Sequence, residues 1–158
     1  RNALGSRMIQ SIPLGHLDLV THAVSTFDIK DREVWQKKYI ETRISAYKTV
    51  LAKIKSRKIP SEDLYRVAGL LWEENLFFEC HEWLEQDWKK VQGLEKTILQ
   101  ALIRSAGAFE LLFYKRMTGA LRTASRALPV LVKHRDHLPK GFNHDRVLAR
   151  LEQLVSGE

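Results

Sequence analysis

The residues most suggestive of chemistry form one short acidic segment that contains a single imidazole. Its sequence runs Phe-Phe-Glu-Cys-His-Glu-Trp-Leu-Glu-Gln-Asp-Trp over residues 77–88. On a helix, His81 lies four residues after Phe77, so the imidazole falls on the apolar stripe. Glu85 lies one turn after it, and Glu82 lies beside it. Because a core-facing imidazole without hydrogen-bond partners is costly, we expect His81 to be buried within a set of polar contacts.

Partners for this imidazole are better placed on the next helix than on its own. Gln100 and Arg104 are one turn apart there, and a buried carboxylate without a cation is expensive. We therefore expect Arg104 to pair with Glu82 or Glu85. The predicted polar network consists of His81, Glu82, Glu85, Trp88, Gln100 and Arg104.

The same residues permit a second interpretation, which is a metal site. The spacing His-Glu-x-x-Glu resembles the helical metalloprotease motif, in which two histidines one turn apart bind zinc. Glu85 stands where the second histidine would be. The metal ligands would be His81, Glu82 and Glu85, with further ligands from other helices. Hydrogen-bonded polar groups are the usual state of buried residues, so the sequence favours the structural network and predicts no metal or other cofactor.

Catalysis has less support than either interpretation. Glu82 or Glu85 beside His81 could act as a general acid or base. No nucleophile motif, oxyanion feature or glycine-rich phosphate loop accompanies them in the sequence. Cys80 adjoins His81, but neighbours on a helix point about 100° apart, which argues against a Cys–His dyad. We therefore expect no catalytic residues, and a protein that is not an enzyme is the favoured interpretation.

The elements that would position this segment are all helical. The stretch from Leu94 to about Arg116 is a strongly apolar helix with a wide buried stripe, so it should be the central element. Residues 31–58 form a long amphipathic helix with a basic face, which Pro60 ends. The alternation of apolar and polar residues that is typical of strands is absent.

We expect an all-α protein that comprises an orthogonal helical bundle and an N-terminal extension. The bundle should occupy residues 61–158 and contain about five to seven helices. The extension, residues 1–60, should hold the amphipathic helix, with Trp35 and Tyr47 on its apolar stripe. Glycine, serine and proline residues predict no helix before about residue 15.

Composition and charge restrict the class of protein and its partners. Of the 158 residues, 44% are hydrophobic and 28% are charged, which excludes a disordered chain. The net charge of +7 is uneven, with +7 in residues 1–60, −5 in residues 61–110 and +5 in residues 111–158. A uniformly basic chain would indicate nucleic acid or an anionic membrane. The alternation instead favours contact between acidic and basic segments, within one chain or between two.

Cysteine usage and hydropathy indicate where the protein works. The one cysteine, Cys80, excludes an intrachain disulfide framework and predicts a reducing intracellular compartment, either the cytoplasm or an organelle interior. No run approaches the roughly 18 apolar residues of a membrane span, so none is expected. The layout of a secretory signal peptide is also absent.

Two runs in the chain resemble the helical family catalogued as domain of unknown function 309 (DUF309). They are the segment at residues 77–88 and Leu-Gln-Ala-Leu-Ile-Arg at residues 99–104. The family pattern reads Phe-Phe-Glu-Ala-His-Glu-x-Leu-Glu-x-x-Trp, followed by Leu-Gln-Gly-Leu-Ile-Gln. The resemblance extends over about residues 64–132, and it implies an all-helical fold and no established activity. This chain departs from the family pattern at Cys80, Ala101 and Arg104, and Leu76 replaces the usual glycine of the turn before the first run.

These features favour a non-catalytic helical interaction or assembly module of unknown specific role. Its partner would be another protein or a second copy of the chain, because the apolar stripe of residues 31–58 needs cover. A metal-dependent enzyme that uses the His-Glu motif is the alternative. A second alternative is binding of RNA or DNA through the basic flanks, which include Lys115, Arg116, Arg122 and Arg126.

Overall fold

The computed structural model describes residues 2–26 and 33–157 of the chain. Within these ranges it contains eight α-helices, one short 3-10 helix and no β-strand, which confirms the predicted all-α class. The chain divides into two units, Arg1–Asp63 and Leu64–Glu158. None of the described helices combines the length and apolarity that a membrane span requires, as the sequence predicts.

The first unit contains α1 (Asn2–Ser11), α2 (Asp18–Thr26) and α3 (Val34–Ser56). The expectation of no helix before residue 15 is wrong. Leu4, Met8 and Ile12 are buried and follow one another at intervals of four. This spacing gives the segment one apolar face, which outweighs the low helix propensity of the glycine and serine between them.

Helix α3 begins at Val34, later than the predicted start, and residues 31 and 32 lie outside the described part of the chain. Its buried side chains keep the predicted helical spacing, and they are Ile40, Tyr47, Val50 and Ile54. Trp35 departs from the predicted stripe, because it is 64% exposed in the first turn. Its indole N–H donates a hydrogen bond to the carboxylate of Glu33.

The second unit contains five α-helices and a 3-10 turn at Arg135–His137. The helices are α4 (Leu64–Glu73), α5 (Phe77–Trp88), α6 (Gly93–Phe113), α7 (Met117–Lys133) and α8 (His144–Ser156). Tight turns follow α4 and α6, where Asn75 and Lys115 adopt φ values of 56° and 57°. These left-handed residues reverse the chain within a few positions and bring each following helix back along its predecessor.

Helix α6 is the central helix of this unit, as its wide apolar stripe predicts. It packs along α5 and along α7, while α4 packs on α5 and α8 packs on α7. Its buried side chains recur at intervals of three and four, and they include Ile98, Leu99, Leu102, Ala106 and Phe109. The segment that carries His81 is therefore held between α4 and the central helix.

An aromatic cluster fills the core where α4, α5 and α6 meet. The ring centroid of Trp72 lies 5.1 Å from that of Phe77 and 5.3 Å from that of Phe109, both in edge-to-face geometry. Phe142, from the loop before α8, completes the cluster at 6.0 Å from Trp72. Edge-to-face pairs stabilise a core beyond the area that they bury, so this cluster fixes the loop as well as the helices.

Two glycines allow that loop to approach α4. A Cβ atom on Gly69 would lie 2.7 Å from the carbonyl oxygen of Gly141, and one on Gly141 would lie 2.4 Å from Cγ of Arg66. Gly141 also has a φ of 100°, which residues with a side chain rarely adopt. The close approach of the two backbones places Phe142 in the core.

Candidate functional site

Helix α5 carries the predicted imidazole and its two acidic neighbours. The turn before it closes with a hydrogen bond from the N–H of Leu76 to the carbonyl of Leu71 at 2.9 Å. The Nδ1 atom of His81 then lies 3.5 Å from an oxygen of Glu82 and 4.0 Å from an oxygen of Glu85. The three groups therefore form one polar cluster on a single turn of α5.

The imidazole is half-buried, which corrects the expectation that it is enclosed in the core. The side chain of His81 remains 29% exposed. One edge of the ring lies over α6, where a Cβ atom on Gly107 would be 3.7 Å from Cδ2. The buried side of α5 is centred on Cys80 and Leu84, which places His81 at its margin.

The expected contact between Arg104 and the acidic residues of α5 is not formed. Arg104 and Gln100 are half-buried on α6, and among the described residues no ion pair joins Arg104 to Glu82 or Glu85. The side chains of Glu82 and Glu85 are 38% and 54% exposed. Because water solvates these two carboxylates, they need no buried cation.

Trp88, the last member of the predicted network, lies at the end of α5. The Nζ atom of Lys96 is 4.4 Å from the centroid of its ring, which is within the range of a cation–π contact. The indole Nε1 is buried, and the described residues offer it no hydrogen-bond acceptor. Trp88 therefore joins α5 to the start of α6 by packing rather than by a polar contact to His81.

The sequence interpretation missed the buried polar groups of this helix. Glu79 is 1% exposed, although the predicted buried carboxylates are Glu82 and Glu85. Glu79 lies four residues before buried Trp83, and this spacing is the signal that could have identified it. The indole N–H of Trp83 donates a 3.0 Å hydrogen bond to the carbonyl of Leu64 and ties α5 to α4.

Cys80 is buried in the interface between α5 and α4. Its side chain is fully buried, and the thiol donates to the carbonyl of Ala68 at 3.5 Å. Burial, and secondarily the charge of Glu79, raise the pKa of the Cys80 thiol well above its usual range. A thiol held in the neutral form and away from solvent is unsuited to nucleophilic or redox chemistry.

The cluster on α5 has the donor atoms of a partial metal site. One ligand atom from each of His81, Glu82 and Glu85 lies within 4.8 Å of the others. An imidazole nitrogen with two carboxylate oxygens suits zinc or another first-row transition metal. Three donors from one helix turn leave the opposite side of an ion open to water or to a substrate.

A mostly apolar pocket of about 320 Å³ lies elsewhere in this unit, between α4, the start of α6 and the 3-10 turn. Its walls include Tyr65, Glu95 and the exposed His137. Burial, together with the charges of Glu95 and Asp87 and a hydrogen bond to Glu95, raises the pKa of Tyr65 to about 12. The phenol therefore stays protonated under ordinary conditions and joins α4 to α6.

We expect Tyr65 to make folding sensitive to alkaline pH. A phenol whose pKa is about 12 when folded and about 10 when unfolded favours the folded state while it is protonated. Its contribution is complete below about pH 10 and is lost as the pH rises through about 12. Urea unfolding of the wild type and of Tyr65→Phe should show that the wild type loses more stability over this interval. An equal loss in the two proteins would contradict this prediction.

An apolar groove of about 550 Å³, which no sequence motif indicates, runs between α6, α7 and α8. We call it the α6–α7–α8 groove. Each helix contributes residues one turn apart to its walls, and these include Phe109, Leu112, Met117, Leu121, Arg150 and Leu154. Met117 is 50% exposed, although its side chain is apolar. The groove therefore presents apolar side chains to solvent from three helices at once.

The basic residues of the C-terminal flank are all accessible. Lys115 and Arg116 lie in the turn before α7, and Arg122 and Arg126 lie on α7 itself. All four are exposed. These four side chains therefore present positive charge to solvent in the turn between α6 and α7 and along α7.

Comparison with known proteins gives one match. The family model described as Domain of unknown function (DUF309) matches residues 65–123, which confirms the family resemblance. No curated protein and no solved structure matches the chain. The matched residues include the cluster on α5, all of α6 and the first part of α7, whereas α8 lies outside them.

Proposed function

We propose that this chain, whose residues 65–123 match the DUF309 family model, is a non-catalytic helical module that binds another polypeptide in the α6–α7–α8 groove. The observation that carries the proposal is the groove itself, with apolar side chains from three helices directed to a solvent-exposed cleft. The role is that of an interaction or assembly module, and we place it in a reducing intracellular compartment because the one cysteine is unpaired.

The groove has the geometry of a helix-binding surface. Phe109 and Leu112 are three residues apart on α6, and Met117 and Leu121 are four residues apart on α7. Such spacings produce continuous apolar ridges with a channel between them. An amphipathic helix can lay its apolar face in such a channel, and binding removes both surfaces from water.

The chemistry of the groove favours binding over catalysis. Its walls are mostly aliphatic and aromatic, and the polar side chains among its described residues are Arg150 and Gln153. Neither group is an ordinary nucleophile or general base at neutral pH, because arginine stays protonated and an amide does not titrate. An exposed apolar surface without such groups is typical of a protein–protein interface.

Selection from a library of helical peptides tests this proposal. Met117 and Val132 are both 50% exposed and both lie on α7, but only Met117 lines the groove. The wild type and Val132→Gln should enrich a common set of amphipathic peptides, and Met117→Gln should fail to retain that set. Equal retention by all three proteins, or the absence of any enriched set, would contradict groove binding.

A metal-dependent enzyme is the second candidate, and the cluster of His81, Glu82 and Glu85 within 4.8 Å supports it. Titration calorimetry with Zn²⁺ would then show one site of micromolar or tighter affinity that is absent in His81→Ala. His134→Ala is the matched control, since that histidine lies outside the cluster. If the wild type and His81→Ala bind Zn²⁺ equally, this candidate is excluded.

Nucleic-acid binding is the third candidate, and the four exposed basic side chains around α7 support it. Contacts of this kind are made mainly to phosphates, so the affinity should fall steeply as salt concentration rises. Titration of a labelled oligonucleotide at low salt provides the measurement. No binding under that condition would exclude this candidate.

A further inference from the structure

We infer that the partner in the α6–α7–α8 groove is an acidic amphipathic helix, with a carboxylate that pairs with Arg150. This inference rests on the proposed function and specifies the chemistry of the ligand. The observation that supports this inference is the environment of Arg150. This residue lines the groove, and its guanidinium lies over Phe109 of the aromatic cluster.

The guanidinium of Arg150 is held over aromatic rings. Its central carbon lies 4.4 Å from the centroid of Phe109, 5.1 Å from that of Phe77 and 5.8 Å from that of Trp72. One nitrogen donates a 3.2 Å hydrogen bond to the side-chain oxygen of Asn75. These contacts fix the planar group in place at the wall of the groove.

The guanidinium of Arg150 also lacks an ion-pair partner within the described part of the chain. Burial, together with the charge of Arg146 one turn earlier, lowers the pKa of Arg150. A partly desolvated charge with unused N–H donors is costly, and an anion that binds there relieves the cost.

A carboxylate is the anion that this site fits best in a polypeptide partner. The guanidinium presents parallel N–H groups that match the two oxygens of a carboxylate, and the aromatic rings hold it in one orientation. A helical partner could place Asp or Glu next to its apolar anchors. The C-terminal 48 residues, 111–158, carry a net charge of +5, which would attract an acidic partner.

The apolar surface extends beyond what a small ligand would cover. Phe113 is 62% exposed and lies one turn after Phe109 on α6, so it continues the same ridge. Met117, on the α7 wall of the groove, is likewise 50% exposed. A helix that follows the groove would cover these side chains, whereas a small carboxylate would leave them in water.

Three peptides of one length test the inference. All carry leucine at i, i+3, i+4 and i+7, and the positions that flank the leucines are Glu, Gln or Lys. Fluorescence anisotropy should give an affinity for the Glu peptide at least about tenfold above that for the Gln peptide. The Lys peptide should bind more weakly than both. The advantage of the Glu peptide should shrink as salt concentration increases.

The variants Arg150→Gln and Arg146→Gln assign this charge preference to one residue. Arg146 lies one turn earlier on α8 and is exposed, so it controls for the loss of one positive charge. Arg150→Gln should abolish the preference for Glu over Gln, while Arg146→Gln should keep most of it. If Arg150→Gln does not fold, the ranking of the three peptides and its salt dependence on the wild type still decide the question.

The outcomes separate this inference from the proposed function. If Glu and Gln peptides bind equally and Met117→Gln weakens both, the groove binds helices but the acidic preference is wrong. If no peptide binds in a manner sensitive to Met117→Gln, both proposals are wrong. If the chain instead dimerises and Met117→Gln abolishes the dimer, the partner is a second copy, and the inference of a separate acidic helix is overturned.

Discussion

Phe109→Ala should lower the free energy of unfolding of the second unit by about 3–5 kcal/mol, which is the range for removal of a buried phenylalanine. Phe109 is 5% exposed, and its ring contacts Trp72 and Phe77 at centroid distances of 5.3 Å each. The substitution leaves a cavity in the aromatic cluster and removes the ring beneath Arg150. Urea unfolding followed by circular dichroism measures the change.

Phe113→Ala is the matched control for this experiment. The two residues are one turn apart on α6, but Phe113 is 62% exposed. Its ring is in edge-to-face contact with Tyr114 at 5.1 Å, so the expected loss is about 1 kcal/mol or less. Similar losses for the two variants would contradict the packing that is described for this helix.

Gly69→Ala should destabilise the protein by about 2 kcal/mol, even though alanine is the better helix former. The new methyl group would lie 2.7 Å from the carbonyl oxygen of Gly141, so the backbone of the loop must move. That movement displaces Phe142, which is 5% exposed in the core. The overpacking cost therefore exceeds the gain of up to about 1 kcal/mol in helix propensity.

The same substitution at Gly107 should have the opposite sign. A methyl group there would lie 3.7 Å from Cδ2 of His81, which is an ordinary contact distance. We expect Gly107→Ala to stabilise the protein by about 0.5–1 kcal/mol through helix propensity. Thermal and urea unfolding of the two variants compare the effects directly. A loss at Gly107, or a gain at Gly69, would show that these glycines are not packed as described.

The helical architecture is predictable because it depends on spacing within short segments. The run of apolar residues from Leu94 onward identifies α6 and its central position without any knowledge of its neighbours. The positions of α5 and α7 follow from the turn residues between the helices. The first helix differs from the prediction because the apolar repeat of Leu4, Met8 and Ile12 outweighs the low helix propensity of the glycine and serine between them.

The candidate site is less predictable, because its properties depend on what the neighbouring helix offers. The imidazole of His81 packs against α6 beside Gly107, a residue of another helix that the spacing along α5 does not identify. The buried carboxylate is Glu79 rather than Glu82. The spacing of apolar residues along α5 does not by itself predict which edge of the apolar stripe a neighbouring helix covers. The α6–α7–α8 groove joins residues up to 48 positions apart, so periodicity along one helix could not reveal it.

Because Cys80 is buried between α4 and α5, the reactivity of its thiol can be used to measure local opening of the protein. A neutral thiol with no accessible surface can react with a disulfide reagent only when α4 and α5 separate. Because the chain has one cysteine, every labelled molecule records that single event. The labelling rate under native conditions therefore measures how often this interface opens. A peptide that binds in the α6–α7–α8 groove should slow the labelling of Cys80 in proportion to the fraction of the protein that it occupies.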